Sequence, residues 1–376
     1  MPKAFDAIVI GGGIIGLSAA YQLTKKGKKV LVIEKKYPGS GSTSRCIGGI
    51  RQQFSTEASI RLMIESMRLF KNMENEFGFS IDFYQGGYLF LAHSEEKMEA
   101  FKKVVEIQRT LGLNVEILDV KGCLEIVPQL STDGLIGGVY SPDDGQAYPF
   151  KIIKGYIEQM RKSGSELLYF TSVTDIIVEN SKVKGVEINN SEKIYSDIVV
   201  NSAGPFAREV SKMAGIDIPV LPEEHEAFIT DRLPKMFDTM IVDYRPDGCY
   251  FNQRVNGQVI GCYTPVPNKP GVQVESSMEF LVEMSKRTIR LVPALKHAKV
   301  IRHWGGSYSM TPDGSPIIDK TEIQGYYIAT GMSGHGFMFA PATGKFFSDI
   351  IVDNQYPFNW DEFKLDRNFS RKELMK

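Results

Sequence analysis

The chain has 376 residues, of which 43% are hydrophobic and 24% are charged, as is ordinary for a folded globular protein. This length exceeds the roughly 250–300 residues that one hydrophobic core supports, so we expect two domains. The formal net charge of −1 gives no electrostatic reason to expect binding to nucleic acid or to an anionic membrane.

The cysteines Cys46, Cys123, Cys249 and Cys262 lie far apart and form neither a C-x-x-C pair nor a cysteine–histidine ligand spacing. This pattern predicts reduced thiols in a cytoplasmic protein without a metal centre. The apolar start of the chain contains Asp6 and three consecutive glycines and has no small-residue cleavage site, so we interpret it as folded structure and not as a signal peptide. No uninterrupted apolar run approaches the ~18 residues of a membrane-spanning helix.

The most informative segment is residues 6–34, where a strand, a glycine-rich turn, a helix and a second strand follow one another. Ala7–Ile10 is apolar and predicts a buried parallel strand, residues 14–23 predict a helix, and residues 29–33 predict the second strand. All of these elements fall within the ~30 residues of a dinucleotide-binding unit.

The turn of this unit has the pattern G-x-G-x-x-G, at Gly11, Gly13 and Gly16. The first glycine permits a tight turn, the second lets backbone N–H groups approach a pyrophosphate, and the third lets helix and strand pack closely. The pyrophosphate would bind at the positive N-terminus of the helix. Glu34, at the end of the second strand, can accept hydrogen bonds from an adenosine ribose.

The rest of the chain alternates helical and strand patterns without an internal repeat. Periodic apolar residues predict helices over about 56–77, 95–111, 149–162, 278–290 and 340–352. Strand patterns occur at 86–91, 166–170, 173–178, 183–188, 193–194, 198–200 and 326–329, and strands dominate between 220 and 263. The small residues between Pro38 and Arg51 indicate an extended backbone that lies along a long ligand.

These elements predict an α/β protein with a Rossmann-like dinucleotide-binding domain and a second, strand-rich α+β substrate domain. We expect the first domain to be discontinuous and to comprise residues 1–85, 145–218 and 300–376. The substrate domain would comprise residues 86–144 and 219–299.

Together these segments resemble the D-amino-acid-oxidase-like family of FAD-dependent oxidoreductases. Within it they resemble the β subunits of hetero-oligomeric L-proline dehydrogenase and of heterotetrameric sarcosine oxidase. The resemblance is carried by the N-terminal unit and by residues 39–51, 138–149, 198–204, 311–319 and 333–345. It implies a non-covalent FAD in an extended conformation, a partner α subunit, and a second flavin, FMN, at a subunit contact.

The resemblance also implies which residues contact FAD. Val173 would meet the adenine through its backbone, and the N–H groups of the 334–337 loop would point towards the flavin N1–C2=O edge. The positive end of the last helix would stabilise the negative charge of reduced flavin at that edge. The implied cofactor contacts are Gly11, Gly13, Ile14, Ile15, Gly16, Glu34, Lys35, Ser42, Thr43, Ser44, Arg45, Gly49, Ile50, Val173, Ala203, Gly204, Gly306, Gly334, His335, Gly336, Phe337 and Met338.

Two departures from the family pattern bear on the type of reaction. Monomeric sarcosine oxidases attach flavin to a cysteine seven residues before the aspartate of a T-P-D segment, and here that position is Gly306. Oxidase members place a lysine above the flavin in G-x-K-x-G, and the matching residue here is Val259. Because a lysine there helps oxygen to accept electrons, its replacement favours a dehydrogenase over an oxidase.

The candidate catalytic residues are Arg51, His225, Tyr250, Tyr263 and Met338. Arg51 matches the substrate arginine of the family, and its planar fork suits a carboxylate; the alternative is a surface arginine or one that binds the flavin phosphates. Met338 stands where sarcosine oxidase has a lysine after H-G-F. It could pack against a pyrrolidine ring or be an ordinary core methionine.

His225 begins a predicted substrate-domain strand, and its ordinary pKa near neutrality would let it tune the protonation of an amine. A structural histidine is the alternative. Tyr250 and Tyr263 could be aromatic walls beside the flavin or core residues. His335 lies in the flavin loop, where we expect it to order the loop and not to transfer protons.

The leading hypothesis is an FAD-dependent dehydrogenase that oxidises the Cα–N bond of L-proline or a related secondary amino acid by hydride transfer to flavin N5. It would act as the β subunit of a hetero-oligomer. One alternative is an oxidase that uses O2 on sarcosine, glycine or a D-amino acid. The other is a flavin-holding subunit that transfers electrons and is inactive without its partner.

Overall fold

The computed structural model describes residues 5–272, 274–370 and 372–375. The strands in chain order are β1 (Ala7–Ile10), β2 (Val30–Glu34), β3 (Gly49–Ile50), β4 (Tyr88–Ala92), β5 (Glu116–Asp119), β6 (Gly137–Ser141), β7 (Gly145–Gln146), β8 (Glu166–Tyr169), β9 (Val173–Glu179), β10 (Lys182–Ile188), β11 (Glu192–Tyr195), β12 (Val199–Asn201), β13 (Leu221–Arg232), β14 (Met240–Asp243), β15 (Tyr250–Gln253), β16 (Gln258–Tyr263), β17 (Val300–Met310), β18 (Ile317–Lys320) and β19 (Tyr326–Thr330). The α-helices are α1 (Ile14–Lys25), α2 (Glu57–Phe77), α3 (Glu95–Thr110), α4 (Val120–Ile126), α5 (Pro149–Lys162), α6 (Ala207–Met213), α7 (Met278–Leu291) and α8 (Gly336–Asp353).

A six-stranded sheet in the order β18-β19-β12-β1-β2-β8 forms the core of the dinucleotide-binding part. All its pairs are parallel except β18 with β19. Every residue of β1 and of β2 is buried, which explains why both strands are continuous apolar runs. Helix α1 packs on this sheet and against α5 and α8. The predicted α/β class and Rossmann-like unit are confirmed.

The second large sheet has eight strands in the order β17-β13-β16-β15-β14-β4-β6-β5, and it is antiparallel except where β14 meets β4. Helix α7 covers one of its faces, where Phe280 and Met284 join a core with Phe228, Phe251 and Val259. The opposite face turns towards the dinucleotide-binding part. A separate antiparallel sheet, β11-β10-β9, packs against the six-stranded sheet through Ile176, Val183 and Val186.

Two elements near the C-terminal end of the chain differ from the sequence-based expectations. Helix α8 begins at Gly336 and not near Ala340. Pro341 lies inside the helix, more than one turn after its first residue, and does not mark its start. Strand β17 was not predicted, and it pairs with β13 along ten residues of the eight-stranded sheet. The expected domain division assigned residues 300–310 to the FAD-binding domain; the division itself remains a proposal.

None of the helices in the described parts of the chain combines the length and the apolar character that crossing a bilayer requires.

Candidate active site

The glycine-rich turn after β1 is as tight as its sequence predicts. Gly11 has φ +107°, and a Cβ there would collide with the carbonyl of Ser202 at the end of β12. A Cβ on Gly16 would collide with the carbonyl of Gly11, so helix and turn are in direct contact. Gly13 caps α1 with extended backbone and no side-chain hydrogen bond. The N-terminus of α1 is therefore open to an anionic group.

Glu34 and Thr43 hold the surroundings of this turn. One Glu34 carboxylate oxygen accepts the Gly12 N–H at 2.8 Å, and the other accepts the Lys36 N–H at 2.9 Å. The Thr43 hydroxyl accepts the Ile14 N–H at 3.0 Å, which fixes the 42–45 segment beside the first turn of α1. An acid is thus placed at the end of β2, next to the open helix terminus.

A cavity of about 420 Å³ lies between the two large sheets. This volume falls in the range of small-molecule sites. Eleven of the sequence-predicted residues line it: Ser42, Arg45, Gly49, Arg51, His225, Tyr250, Gly306, Gly334, His335, Phe337 and Met338.

Arg51 is the central cation of this cavity and is only 5% exposed. Its Nη1 donates to the Gln53 carbonyl and its Nη2 donates to the Met375 carbonyl. The guanidinium carbon lies 4.1 Å from the centre of the Phe54 ring. No carboxylate of the described residues lies within ion-pairing distance of Arg51. It is therefore a buried cation, and not the surface arginine of the alternative interpretation.

The N-terminus of α8 meets Arg51 through His335. Arg51 Nη2 lies 3.1 Å from His335 Nε2. Because a guanidinium can only donate, Nε2 is the acceptor and the imidazole is the neutral form that carries its proton on Nδ1. His335 is also the N-cap of α8, and its ring packs edge-on against Phe54. These contacts hold His335 between the loop and Arg51, and its loop-ordering role stays a prediction.

Aromatic side chains from the eight-stranded sheet form the facing wall. His225 of β13 stacks on Tyr308 of β17 with ring centres 3.7 Å apart, and the Tyr308 hydroxyl bonds that of Tyr250 at 2.8 Å. Burial raises the pKa of both tyrosines, so both are neutral phenols. Burial likewise raises the pKa of Cys262, on neighbouring strand β16, to about 12, so its thiol is also neutral.

A family model described as "FAD dependent oxidoreductase" (DAO) matches residues 6–350. The chain belongs to this family. Sarcosine oxidase subunit beta of Rhizobium meliloti (strain 1021) is 29% identical over 374 residues, which cover 96% of this chain and 88% of the relative. Mitochondrial dimethylglycine dehydrogenase of Rattus norvegicus is 28% identical over 96% of this chain, and the chain spans only 44% of the length of that relative.

Among solved structures, L-proline dehydrogenase from P. horikoshii superposes with a TM-score of 0.91 and 37% sequence identity, and the match covers 97% of both chains. Glycine oxidase from Geobacillus kaustophilus, at 24% identity and a TM-score of 0.88, shares the fold. The resemblance stated from the sequence is confirmed at the level of the family.

The residues of this FAD-dependent oxidoreductase fit the cofactor. At Gly13 a Cβ would meet only the Thr43 hydroxyl, at 3.5 Å, so the space above the α1 N-terminus is open. Ala203 lies against Gly11, and Gly204 has φ +57° with open space beside it. The α8 N-terminus faces the cavity at the other end. At neither helix does the N-cap side chain bond the first turn, so both N-termini are available, one for the pyrophosphate and one for the flavin edge.

The remaining predicted cofactor residues lie around this path. Lys35 Nζ lies 2.9 Å from the centre of the Phe206 ring, and burial lowers its pKa. Ile50 pairs with Gly145 in the short β3–β7 ladder. Ile15 and Gly336 lie in the first turns of α1 and α8, the Ser44 hydroxyl donates to the Gly41 carbonyl, and Val173 begins β9. Their contacts with FAD remain a prediction.

The structure does not bring Tyr263 or Val259 to the cavity. Both lie on the α7 face of β16, where Tyr263 stacks on Phe280 and Val259 is fully buried in the core. Alternate residues of a strand face opposite sides, so Cys262 is the β16 residue that reaches the cavity. The sequence match that placed Val259 above the flavin is thus wrong. Of the described residues that line the cavity, the arginine and lysine cations are Arg45, Arg51 and Arg245, and none is a lysine.

Gly306 lines the cavity, where a Cβ would lie 3.0 Å from the Arg45 side chain, so this position has neither a thiol nor room for one.

Sequence reasoning missed three residues of the site, namely Tyr308, Asp144 and Met375. Asp144 is fully buried and accepts the Gln52 N–H at 2.8 Å and the Gln53 amide at 3.1 Å, so it holds the loop that carries Arg51. Asp144 is the third residue of a P-D-D-G turn that begins at Pro142, and this turn was the only sequence signal.

Proposed function

We propose that this FAD-dependent oxidoreductase is an amino-acid dehydrogenase that acts on L-proline or a related secondary amino acid. The observation that supports this most directly is the buried Arg51 guanidinium, which lacks a carboxylate partner among the described residues and faces a cavity with aromatic walls. The likeness to an L-proline dehydrogenase, at 37% identity over 97% of both chains, supports the same substrate class.

In this proposal the side chains bind and orient, since most of the rate comes from positioning the substrate. Bound FAD supplies the hydride acceptor at flavin N5. Arg51 binds the substrate carboxylate, Met338 and the Tyr250–Tyr308 pair pack against the ring, and the α8 N-terminus stabilises negative charge at the flavin edge. A C–H bond next to nitrogen breaks with its electron pair, and the C–N bond becomes a C=N bond.

The type and the hydrogen bonding of the cations in the cavity support a dehydrogenase over an oxidase. Developing negative charge on oxygen would need a cation close to the reacting flavin edge. Arg51 donates to two backbone carbonyls and to His335, and none of the described lining residues is a lysine. The named alternative, an oxidase that acts on sarcosine, glycine or a D-amino acid, would require rapid reaction with O2.

The test is anaerobic bleaching of the flavin absorbance with proline, sarcosine, glycine and D-alanine, followed by turnover with a dye or with O2. We expect bleaching by proline, turnover with the dye, and little peroxide. L-proline deuterated either at Cα or at the other ring carbon bonded to nitrogen would show which C–H bond breaks. Peroxide production at the rate of turnover, or bleaching by glycine and not by proline, would contradict the proposal.

The role of Arg51 is tested separately with Arg51→Lys, which keeps the charge and loses the fork. We expect KM for proline to rise about 100-fold with a much smaller change in kcat, because a bidentate charged pair is worth roughly 2–3 kcal/mol. Arg61→Lys is the matched control, since Arg61 pairs with Glu57 on the exposed face of α2. Equal KM values for the two variants would exclude Arg51 from carboxylate binding.

We also propose that the chain functions with a partner α subunit and that a second flavin, FMN, lies at their contact. Two relatives, from Rhizobium meliloti and Rhodobacter capsulatus, are named as beta subunits of sarcosine oxidase, which supports a hetero-oligomer. The isolated chain should then bind FAD alone, and the native complex should release FAD and FMN in equal amounts. A chain that bleaches with no amine until its partner is added would be the inactive flavin-holding subunit.

A further inference from the structure

Residues 372–375, called the tail below, run along the cavity that contains Arg51. Met375 is 2% exposed and lines the cavity, and its carbonyl accepts a hydrogen bond from Arg51 Nη2. The segment is held there by backbone contacts: Glu373 N–H donates to the Asp313 carbonyl at 3.0 Å, and Leu374 N–H donates to the Ser55 hydroxyl at 2.8 Å. The tail is therefore part of the site, although no sequence pattern indicated it.

The Glu373 side chain adds a second anchor. It is 6% exposed, and its carboxylate accepts the Ser55 N–H at 2.9 and 3.1 Å and the Met375 N–H at 2.8 Å. Ser55 follows closely on the 51–53 loop that carries Arg51. Its N–H donates to Glu373 and its hydroxyl accepts from Leu374, so two hydrogen-bonded contacts connect the tail to this loop. These hydrogen bonds of Glu373 and Leu374 fix the Met375 carbonyl at Arg51.

The contacts with His335 and Met375 use N–H donors of Arg51 that a bound carboxylate would need. A guanidinium has five N–H groups, and two of them are on Nη2. In Arg51 one Nη2 hydrogen goes to His335 Nε2 and the other to the Met375 carbonyl. A carboxylate is bound bidentately either by Nη1 with Nη2 or by Nε with Nη2, as Arg208 binds Asp217 in this chain at 2.6 and 2.7 Å. Both forks need an Nη2 hydrogen, so one of these two partners must leave first.

We infer that the Met375 carbonyl is an internal competitor for the substrate carboxylate at Arg51. His335 caps α8 and packs between aromatic rings, whereas Met375 lies on a short segment without regular secondary structure. The carboxylate therefore displaces the Met375 carbonyl, and residues 373–375 set the affinity of the site for carboxylates. This inference rests on the proposed function, because it takes Arg51 as the carboxylate-binding residue.

The test uses the full chain with FAD and two non-oxidisable probes, 2-furoate and its neutral counterpart 2-furamide, with binding measured by titration calorimetry. Leu374→Pro removes the N–H that bonds Ser55 and should loosen the tail. Leu374→Ala is the matched control, because that side chain is 62% exposed and the N–H remains. We expect Leu374→Pro to lower Kd for 2-furoate about tenfold, the gain from releasing one hydrogen bond to a charged group. Leu374→Ala should leave this Kd unchanged, as should both variants with 2-furamide.

A measurement on the unaltered chain keeps the inference testable if the proline variant does not fold. Saturating 2-furoate should accelerate hydrogen–deuterium exchange of the Leu374 and Met375 amides, and 2-furamide should not. An unchanged or raised Kd in Leu374→Pro, or slower tail exchange with 2-furoate, would overturn the inference while leaving Arg51 in place. If the unaltered chain binds 2-furoate no better than 2-furamide, the proposed role of Arg51 fails, and the competitor role fails with it.

Discussion

The buried carboxyl of Asp144 gives a prediction that can be worked out from the structure. It is fully buried behind the cavity wall and holds the 51–53 loop through the Gln52 N–H and the Gln53 amide. Burial raises its pKa from an ordinary value of 3.8 to about 6, although these hydrogen bonds and Arg51 act in the opposite direction. The fold therefore disfavours the ionised form, and the cost should appear as a pH dependence of stability.

Between pH 4 and pH 6 the folded chain keeps a proton on Asp144 that the unfolded chain has lost, so the free energy of unfolding falls as pH rises through this window. A difference of about 2 pKa units corresponds to about 3 kcal/mol. Asp144→Asn carries no charge in either state, so this contribution should be absent from the variant. The stability of the unaltered chain minus that of the variant should decrease by about 2.5 kcal/mol from pH 4 to pH 7, because the unfolded carboxyl is already partly ionised at pH 4.

The assay is urea denaturation of both proteins, followed by circular dichroism at several pH values from 4 to 7. The asparagine amide faces two donors and will shift the variant's stability by a constant amount. Only the change of the difference with pH reports on the carboxyl, since every other titrating group is common to the two chains. If the free energies of unfolding of the two proteins differ by the same amount at every pH in this range, the reasoning is refuted, because the Asp144 carboxyl is then not desolvated.

Three other substitutions have defined outcomes. Glu34→Gln should weaken FAD binding about tenfold, because the proposed charged acceptor of the ribose is lost; fluorescence titration of apoprotein with FAD measures this, and an unchanged Kd would count against the proposed role. Gly334→Ala should lower both the melting temperature and kcat/KM, since Gly334 has φ +89° and a Cβ would lie 2.6 Å from the Tyr308 ring. Asp313→Asn should reduce the free energy of unfolding by about 3–5 kcal/mol, because it leaves buried Arg367 without its bidentate partner at 2.7 and 2.9 Å. A loss below 1 kcal/mol in urea denaturation would contradict that estimate.

The parts of the fold that could be predicted are those whose signal is local. The β1–α1–β2 unit is determined by glycines at fixed spacing and by two continuous apolar strands, so its bounds were predicted to within two residues. Helices α2 and α5 have apolar stripes at helical spacing and were equally accessible. In each case the residues that specify the element lie inside it.

The parts that escaped prediction depend on distant partners. Strand β17 begins with Val300 and Ile301 but continues through Trp304, Gly305 and Gly306 without alternation, and it is a strand because β13 pairs with it. The side of β16 that faces the cavity follows from the register between strands, which a sequence match cannot reveal. This is why the sequence match put Val259 above the flavin and left Tyr263 undecided between a wall of the site and the core.

The arrangement of charge around the cavity explains why these scattered elements form one site. The positive N-terminus of α8 and the Arg51 guanidinium both lie at His335, where they repel each other, and no described carboxylate neutralises Arg51. A bound anion would reduce the repulsion between the α8 N-terminus and the Arg51 guanidinium, so this end of the cavity favours anionic groups. In the facing wall the phenols of Tyr250 and Tyr308 and the thiol of Cys262 are neutral, and the lining carboxylates Glu223 and Glu226 of β13 repel anions. Under the proposed function, a ligand with a carboxylate at one end and an apolar ring at the other would place its carboxylate at Arg51 and its ring against Tyr250 and Tyr308.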